Sequence, residues 1–162
     1  MAKICDNKSA GVIIRDSQGR LALLTRAKFP SGIAPPAGHV DDHGSPEQTA
    51  IDEVSEEVGL RINPDDLKPT SIQQQRVMNR CSREGGDHHD WWVYEADKWD
   101  GDIVPDPDET KGARWYTPKE FQALAARTAA YRQGTVSDAD WEASPGLEPV
   151  WFDFMQQLGY IH

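Results

Sequence analysis

The stretch that decides how the chain folds runs from Gly38 to Leu60 and reads GHVDDHGSPEQTAIDEVSEEVGL. Its second part carries the start and stop signals of one helix. Ser45 is a favoured N-cap, Pro46 suits the first helical position, and Gln48 is placed to complete a capping box of the Ser-x-x-Gln type. Gly59 suits the left-handed residue that commonly ends a helix. We therefore predict a helix that begins after Ser45 and ends before Gly59.

This helix would carry an apolar and an acidic stripe on separate faces. The apolar stripe consists of Ala50, Ile51, Val54 and Val58. The acidic stripe consists of Glu53, Glu56 and Glu57, at i, i+3 and i+4, where like charges repel by about a few tenths of a kcal/mol per pair. Oxygen ligands in such a cluster suit Mg²⁺ or Mn²⁺. A solvated acidic face is the alternative interpretation of the same pattern.

The segment resembles the Nudix box, whose pattern is Gly, five residues, Glu, seven residues, Arg-Glu-aliphatic-x-Glu-Glu-x-Gly-aliphatic. At the expected spacing and without gaps the chain supplies Gly38, Glu53, Val54, Glu56, Glu57, Gly59 and Leu60. Two positions depart from the pattern. Gly44 stands where the first Glu is expected, and Asp52 stands where Arg is expected.

The second departure changes the local electrostatics. In the family, the Arg orients and neutralises the Glu cluster, whereas Asp52 adds a negative charge four residues before Glu56. We hypothesise that a basic residue from elsewhere in the chain takes its place in space, and the candidates are Arg15, Arg26 and Arg61.

The resemblance implies a hydrolase that depends on a divalent metal, Mg²⁺ or Mn²⁺. Its expected substrate is a small molecule, a nucleoside diphosphate linked to another moiety, and water would cleave the pyrophosphate bond. Glu53, Glu56 and Glu57 would bind metal, and Glu53 or Glu109 would act on the attacking water, which leaves the general base open. The alternative is a nucleotide-binding or regulatory module on a Nudix scaffold whose catalysis is impaired by Gly44 and Asp52.

Other site residues are also transferred from the resemblance. The backbone carbonyl of Ala37, just before the box glycine, is expected in the metal shell, and Gly38 is expected to let a ligand approach the backbone. Arg26 and Lys28, at the end of a predicted strand, are expected to contact phosphate oxygens, with a strand-end salt bridge as the alternative for Arg26.

The fold class implied is α/β (α+β), a Nudix-type α/β/α sandwich with a mixed β-sheet. We expect one domain over residues 1–162, with the resemblance strongest over residues 8–130 and a C-terminal helix appended at residues 148–159. Residues 134–147 are predicted to form a loop that crosses the surface.

Composition limits the partners. The chain has 162 residues, a net charge of −10 and a pI of about 4.8, which argues against binding to duplex nucleic acid. No apolar run is long enough for a membrane span. Cys5 and Cys81 lack the spacing of a metal site, so we expect free thiols and a cytoplasmic location. A homodimer is left open, because the six tryptophans could form an interface or fill a core.

Several aromatic and histidine residues allow two interpretations. His88 and His89 could bind a transition metal, although such a pair in a polar loop is more often solvated. His39 and His43 flank the predicted site, where a structural or solvent-facing role is favoured over contact with phosphate. One of Trp91 and Trp92, which alternate on a predicted strand, could stack on a nucleobase, but packing is favoured for both.

Overall fold

The computed structural model describes residues 4–79, 81 and 83–162. Its seven strands are β1 (Lys8–Ile14), β2 (Leu21–Arg26), β3 (Ile33–Ala34), β4 (Ala37–His39), β5 (Lys68–Val77), β6 (His89–Ala96) and β7 (Thr110–Tyr116). Its four α-helices are α1 (Pro46–Val58), α2 (Pro118–Arg132), α3 (Asp138–Ala143) and α4 (Pro149–Gln157). Two short 3₁₀ helices cover Val40–Asp42 and Pro64–Asp66.

The strands form two sheets. The four-stranded sheet has the order β4-β1-β6-β5, in which β1 and β6 are parallel and the other neighbours are antiparallel. The three-stranded sheet has the order β3-β2-β7 and is antiparallel throughout. In the larger sheet β1 pairs with β4 through Gly11 and Ala37, which brings the start of the Gly38–Leu60 stretch to the sheet edge.

Apolar side chains of both sheets point alternately into two cores, as expected for strands buried on both faces. Along β1, Ile13 enters the first core while Val12 and Ile14 enter the second. Residues of α2 and α4 complete the first core, and residues of α1 complete the second. Helices therefore cover opposite faces, and the predicted α/β/α sandwich with mixed strand pairing is confirmed.

Helix α1 has the predicted ends. The Ser45 hydroxyl accepts the backbone N–H of Gln48 at 3.1 Å, and Pro46 occupies the first turn. Gly59 closes the helix at φ 79°, in the left-handed region that favours glycine. The capping box is only half formed, because the Gln48 side-chain amide donates to Asp52 Oδ1 at 2.7 Å. Thus the helix begins and ends as predicted, but Gln48 is turned towards Asp52.

The C-terminal region differs from its prediction. Within the loop expected at residues 134–147, the segment Asp138–Ala143 forms α3, and Ser137 accepts the N–H of Asp140 as its N-cap. The predicted final helix is present as α4, and its Trp151, Phe154 and Met155 are buried in the first core. Helix α4 is therefore a part of that core.

The tryptophans pack inside the protein. Trp91 and Trp151 belong to the first core, and Trp141 stacks on Tyr131 with ring centroids 4.2 Å apart. The remaining three, Trp92, Trp99 and Trp115, pack against the second core. Core filling accounts for their number, and the homodimer stays a prediction.

None of the helices in residues 4–79, 81 and 83–162 combines the length and the apolar character that a membrane span requires.

We predict that Met155→Ala lowers the free energy of unfolding by about 2–5 kcal/mol, because it opens a cavity in the first core where Met155 is fully buried. Met78→Ala is the matched control, since Met78 is 72% exposed and the change should cost less than about 0.5 kcal/mol. Urea denaturation of the two variants measures the difference. Equal losses would contradict the placement of α4 in the core.

Candidate functional site

A cavity of about 750 Å³ opens beside α1, at the edge where β4 meets this helix. Every residue that the sequence assigned to catalysis, metal binding or substrate binding lies on its wall: Arg26, Lys28, Ala37, Gly38, Glu53, Glu56, Glu57 and Glu109. These residues come from the end of β2, from β4, from α1 and from the segment before β7. The fold therefore brings together groups that are up to 83 positions apart in the sequence (Arg26 to Glu109).

Two contacts hold β4 against the carboxylates of α1. The backbone N–H of Ala37 donates to Glu57 Oε1 at 2.9 Å. At Gly38, a Cβ atom would lie 2.1 Å from Glu53 Oε1, so any larger residue would displace this carboxylate. Gly38 is thus required by a close approach of the Glu53 side chain, and Glu57 fixes the distance between strand and helix.

Burial perturbs two of the three box carboxylates. It raises the pKa of Glu53 to about 7, against the lowering effect of a hydrogen bond from His43, and the charges of Glu56 and Glu109 add to the rise. Burial also raises the pKa of Glu57 well above its usual range, with the charge of Glu53 as a further cause. Both shifts express the cost of concentrating negative charge away from water.

His43 lies between Asp52 and the Glu cluster. Its Nδ1 is 2.9 Å from Asp52 Oδ2, its Nε2 is 3.0 Å from Glu53 Oε1, and its side chain is only 7% exposed. Burial lowers the pKa of His43, but the hydrogen bonds to Glu53 and Asp52 outweigh burial, so the net shift is upward. The His43 ring therefore joins Asp52 to Glu53 through its two nitrogens.

This arrangement gives Asp52 a basic partner. Of the three arginines considered for that role, Arg15 lies over the ring of Tyr160 at 5.8 Å, and the backbone of Arg61 pairs with Asp100. Arg26 reaches the cavity, and its charge lowers the pKa of Glu57, but its Nε donates to the Pro30 carbonyl at 2.8 Å. The basic side chain in direct contact with Asp52 is His43.

A turn before α1 places His43 in this position. The backbone N–H groups of His43 and Gly44 both donate to the Val40 carbonyl, at 3.0 Å each. Gly44 has φ 93°, a left-handed conformation that a Glu at this position would adopt only with strain. The first departure from the Nudix pattern is therefore linked to the second, because the turn that needs glycine also delivers the histidine.

The remaining predicted residues line the mouth of the cavity. Glu109 is exposed, yet its charge raises the pKa of both Glu53 and Glu57. Lys28 is exposed in the segment that follows β2, and the neighbouring Phe29 is 64% exposed. Phe29 was not predicted as a site residue, and only its position beside Lys28 could have suggested it.

The group of His43, Glu53 and Glu56 fits a divalent cation. One ligand atom from each lies within 4.8 Å of the others, and oxygen donors predominate. Glu57 adds a buried carboxylate with a strongly raised pKa, which a cation would relieve. The structure thus joins the predicted acidic stripe to His43, for which a structural or solvent-facing role was favoured.

Comparison with known proteins identifies a matching family and several similar proteins. The sequence model of the NUDIX domain matches residues 6–137. NAD-capped RNA hydrolase NudC of Stutzerimonas stutzeri is 34% identical over 126 residues, which cover 76% of this chain and 42% of that protein. The chain thus spans less than half the length of that relative.

The similarity to one further protein and to one solved structure extends over most of the length of each. Isopentenyl-diphosphate Delta-isomerase of Nocardia farcinica is 28% identical over 151 residues, covering 86% of this chain and 83% of that protein. The crystal structure of a MutT protein from Methanosarcina mazei superposes with a TM-score of 0.62 at 16% identity, covering 97% of this chain and 95% of that one. At this identity the superposition shows a shared fold.

We predict that Glu57→Gln reverses its effect on stability when metal is added. In chelator the variant should unfold at a higher temperature than the wild type, because the amide keeps an acceptor for Ala37 N–H without a buried charge. With excess Mg²⁺ or Mn²⁺ the order should invert, because ligand at about 100 times its Kd stabilises the wild type by about 2.7 kcal/mol.

Thermal unfolding in both conditions measures this crossover. Glu47→Gln, in the first turn of the same helix, is the control and should respond to metal like the wild type. An unchanged metal response in Glu57→Gln would contradict the role of Glu57.

Proposed function

The chain belongs to the Nudix hydrolase family, and we propose that it hydrolyses the pyrophosphate bond of a nucleoside diphosphate linked to another moiety, in a reaction that requires Mg²⁺ or Mn²⁺. The observation that carries the proposal is the position of Glu53, Glu56 and Glu57, together with Glu109, around one cavity. Two of these carboxylates have raised pKa values, which is characteristic of groups arranged for metal binding and catalysis.

Glu53, Glu56 and Glu57 would hold the divalent ion, with Ala37 as a further candidate ligand through its backbone carbonyl. A divalent ion bound there neutralises diphosphate charge and lowers the pKa of coordinated water. In this proposal His43 positions Glu53, since it bonds Glu53 Oε1 and is itself anchored by Asp52. The departures from the box pattern are then compatible with catalysis.

The attacking water would lose its proton to a carboxylate, and two candidates face the cavity. The Glu53 side chain is 14% exposed and is held by His43, whereas Glu109 is exposed in the segment before β7. Either can act as general base, and variants that separate metal binding from proton transfer distinguish them.

Substrate contacts follow from the chemistry of the mouth. Arg26 and Lys28 supply positive charge where phosphate oxygens would lie, and Gly38 lines the same cavity. Phe29 presents an exposed aromatic ring on the same wall, which could stack on a nucleobase. Trp91 and Trp92 are less suited to stacking, since both pack in the cores.

The relatives suggest the compounds to test. Similarity to NudC favours NAD and NAD-capped RNA as compounds to test. Similarity to the isomerase favours isopentenyl diphosphate, whose isomerisation moves a proton and breaks no phosphate bond. All three compounds carry a diphosphate, so recognition by the same carboxylates and cations fits each of them. A panel that also contains ADP-ribose, a nucleotide sugar and a dinucleoside polyphosphate separates hydrolysis from isomerisation.

We predict metal-dependent cleavage of at least one nucleoside diphosphate derivative in this panel. Glu56→Gln should lower kcat/KM by at least about a hundredfold, because loss of a metal ligand removes several kcal/mol of charge stabilisation. Glu47→Gln should retain activity. Nucleotide or phosphate release measures turnover, and circular dichroism checks that each variant folds.

Two results would contradict the proposal. Full activity of Glu56→Gln would contradict the assignment of Glu56 as a metal ligand. A folded wild type that binds Mn²⁺ and a diphosphate without turning over any compound would favour the impaired binding module, while conversion of isopentenyl diphosphate without phosphate release would favour an isomerase.

We further predict that the general base can be identified by comparing Glu53→Gln with Glu109→Gln. The variant that lacks the base should lose about 10²–10⁴-fold in kcat while KM for substrate and the stabilisation by Mg²⁺ persist. The variant that lacks only a metal ligand should lose the stabilisation as well. Loss of metal stabilisation in both variants would show that neither carboxylate acts as a base alone.

A further inference from the structure

A second group of ligand-forming side chains lies beside the cavity, and three of its four members line it. It consists of Cys5, just before β1, His39 at the end of β4, Cys81 between β5 and β6, and His89 at the start of β6. We call it the cysteine–histidine cluster. One ligand atom from each of the four residues lies within 4.8 Å of the other three. Cys5, Cys81 and His89 are buried.

The spacing inside the cluster matches a tetrahedral metal site. Cys5 Sγ is 3.5 Å from His89 Nε2, and Cys81 Sγ is 3.7 Å from His39 Nε2. Zinc bonds of about 2.3 Å to sulfur and 2.0–2.1 Å to nitrogen, at tetrahedral angles, place the two ligand atoms about 3.6 Å apart. The separations therefore suit a shared cation without rearrangement of the fold.

Both imidazoles are oriented for metal binding. His39 Nδ1 is 2.9 Å from Asp6 Oδ1, and His89 Nδ1 is 2.9 Å from Asn79 Oδ1. These oxygens accept a hydrogen bond from Nδ1–H, which leaves the lone pair of each Nε2 directed at the sulfurs. Such an outer acceptor on a metal-binding histidine fixes the tautomer and strengthens the ligand.

The backbone around the two cysteines also holds them close to each other. Cys5 N–H donates to the Glu84 carbonyl at 2.8 Å, Cys81 N–H donates to the Gly86 carbonyl at 3.0 Å, and Arg83 N–H lies 3.3 Å from Cys81 Sγ. A Cβ atom on Gly86 would lie 2.2 Å from Cys81 Cβ and 2.6 Å from Cys5 Sγ. Glycine at this position is what allows the two thiols to approach each other.

Without a cation, the cluster has no charge to balance a thiolate. Burial raises the pKa of Cys5 to about 11, and the neighbouring Cys81 contributes to the rise. Burial also lowers the pKa of His89, which favours its neutral imidazole. Imidazoles and thiols brought together in this way are the ligands that Zn²⁺ binds with release of the thiol protons.

We propose that Cys5, His39, Cys81 and His89 form a structural Zn²⁺ site, distinct from the carboxylate site on α1. Two thiolates and two imidazoles select zinc over Mg²⁺, and four protein ligands complete its tetrahedral shell. The ion ties the segment before β1 and the β5–β6 connection to β4. Since His39 follows Gly38 directly, the site braces the strand that lies against Glu53.

The sequence did not indicate this site. Its four ligands are separated by 34, 42 and 8 positions, so no short Cys-x-x-Cys or His-x-x-x-His spacing is present. The spacing of the two cysteines in the sequence therefore gave no sign that they meet in space. The pair His88 and His89 is also divided by the structure, since His88 contacts Asp87 and His89 alone joins the cluster.

The test is the zinc content of the full chain, purified under reducing conditions without chelator and measured by mass spectrometry. The wild type should retain about one Zn²⁺ per chain, as should Glu56→Gln and His88→Ala. Cys5→Ser and Cys81→Ser should each lose it. His88→Ala is the matched control because it removes the adjacent histidine and spares the cluster.

Two measurements on the wild type cover the case in which the serine variants fail to fold. Titration of both thiols with p-hydroxymercuribenzoate should release the zinc, and substitution by Co²⁺ should give the visible bands of a tetrahedral site with a thiolate charge-transfer band. A folded, reduced wild type without zinc, a Cys5–Cys81 disulfide, or zinc that persists in Cys5→Ser would each overturn the proposal. The carboxylate site and its proposed activity are tested separately by Glu56→Gln.

Discussion

The approach of β4 to α1 is the constraint on which the site depends. Glu57 accepts a hydrogen bond from the backbone of Ala37, and Gly38 leaves the space that the Glu53 carboxylate occupies. Both contacts require α1 to begin directly after its N-cap Ser45 and to present its acidic face to the sheet edge. The apolar side chains of the second core enforce this orientation from the opposite face of the helix. Packing thus forces carboxylates together that would otherwise separate, and this unfavourable proximity is what a divalent cation would relieve.

A histidine close in the sequence accommodates the replacement of the box arginine by Asp52. His43 bridges Asp52 and Glu53, so the additional carboxylate anchors a basic side chain that contacts the cluster. This solution needs the turn at Gly44, whose left-handed conformation disfavours the glutamate of the usual pattern. The two departures from the family pattern therefore form one structural unit. An acidic residue at the arginine position is compatible with an ordered site in this chain.

Local signals made much of the fold and the carboxylate site predictable. The caps of α1, its two stripes and the ungapped Nudix spacing all depend on residues within one segment, so the sequence shows them directly. The cysteine–histidine cluster was missed because its ligands come from four segments that are distant in the sequence. The contacts of His43 with Asp52 and Glu53 were missed although they span only nine and ten positions, because they depend on the turn at Gly44. The buried side of α4 could be predicted from its apolar residues, and Phe154 and Met155 lie in the first core. Helix α3 was also missed, because a six-residue helix held by Ser137 leaves almost no periodic pattern.

The most direct test of the account is a crystal structure with Mn²⁺ and a non-hydrolysable methylene analogue of a nucleoside diphosphate derivative. Anomalous scattering would locate manganese independently of any assumption about ligands. The account predicts a manganese peak among Glu53, Glu56 and Glu57. It also predicts that phosphonate oxygens of the analogue lie between that ion and Arg26. A diphosphate analogue bound in the cavity with no manganese on α1, or manganese bound only elsewhere, would contradict it.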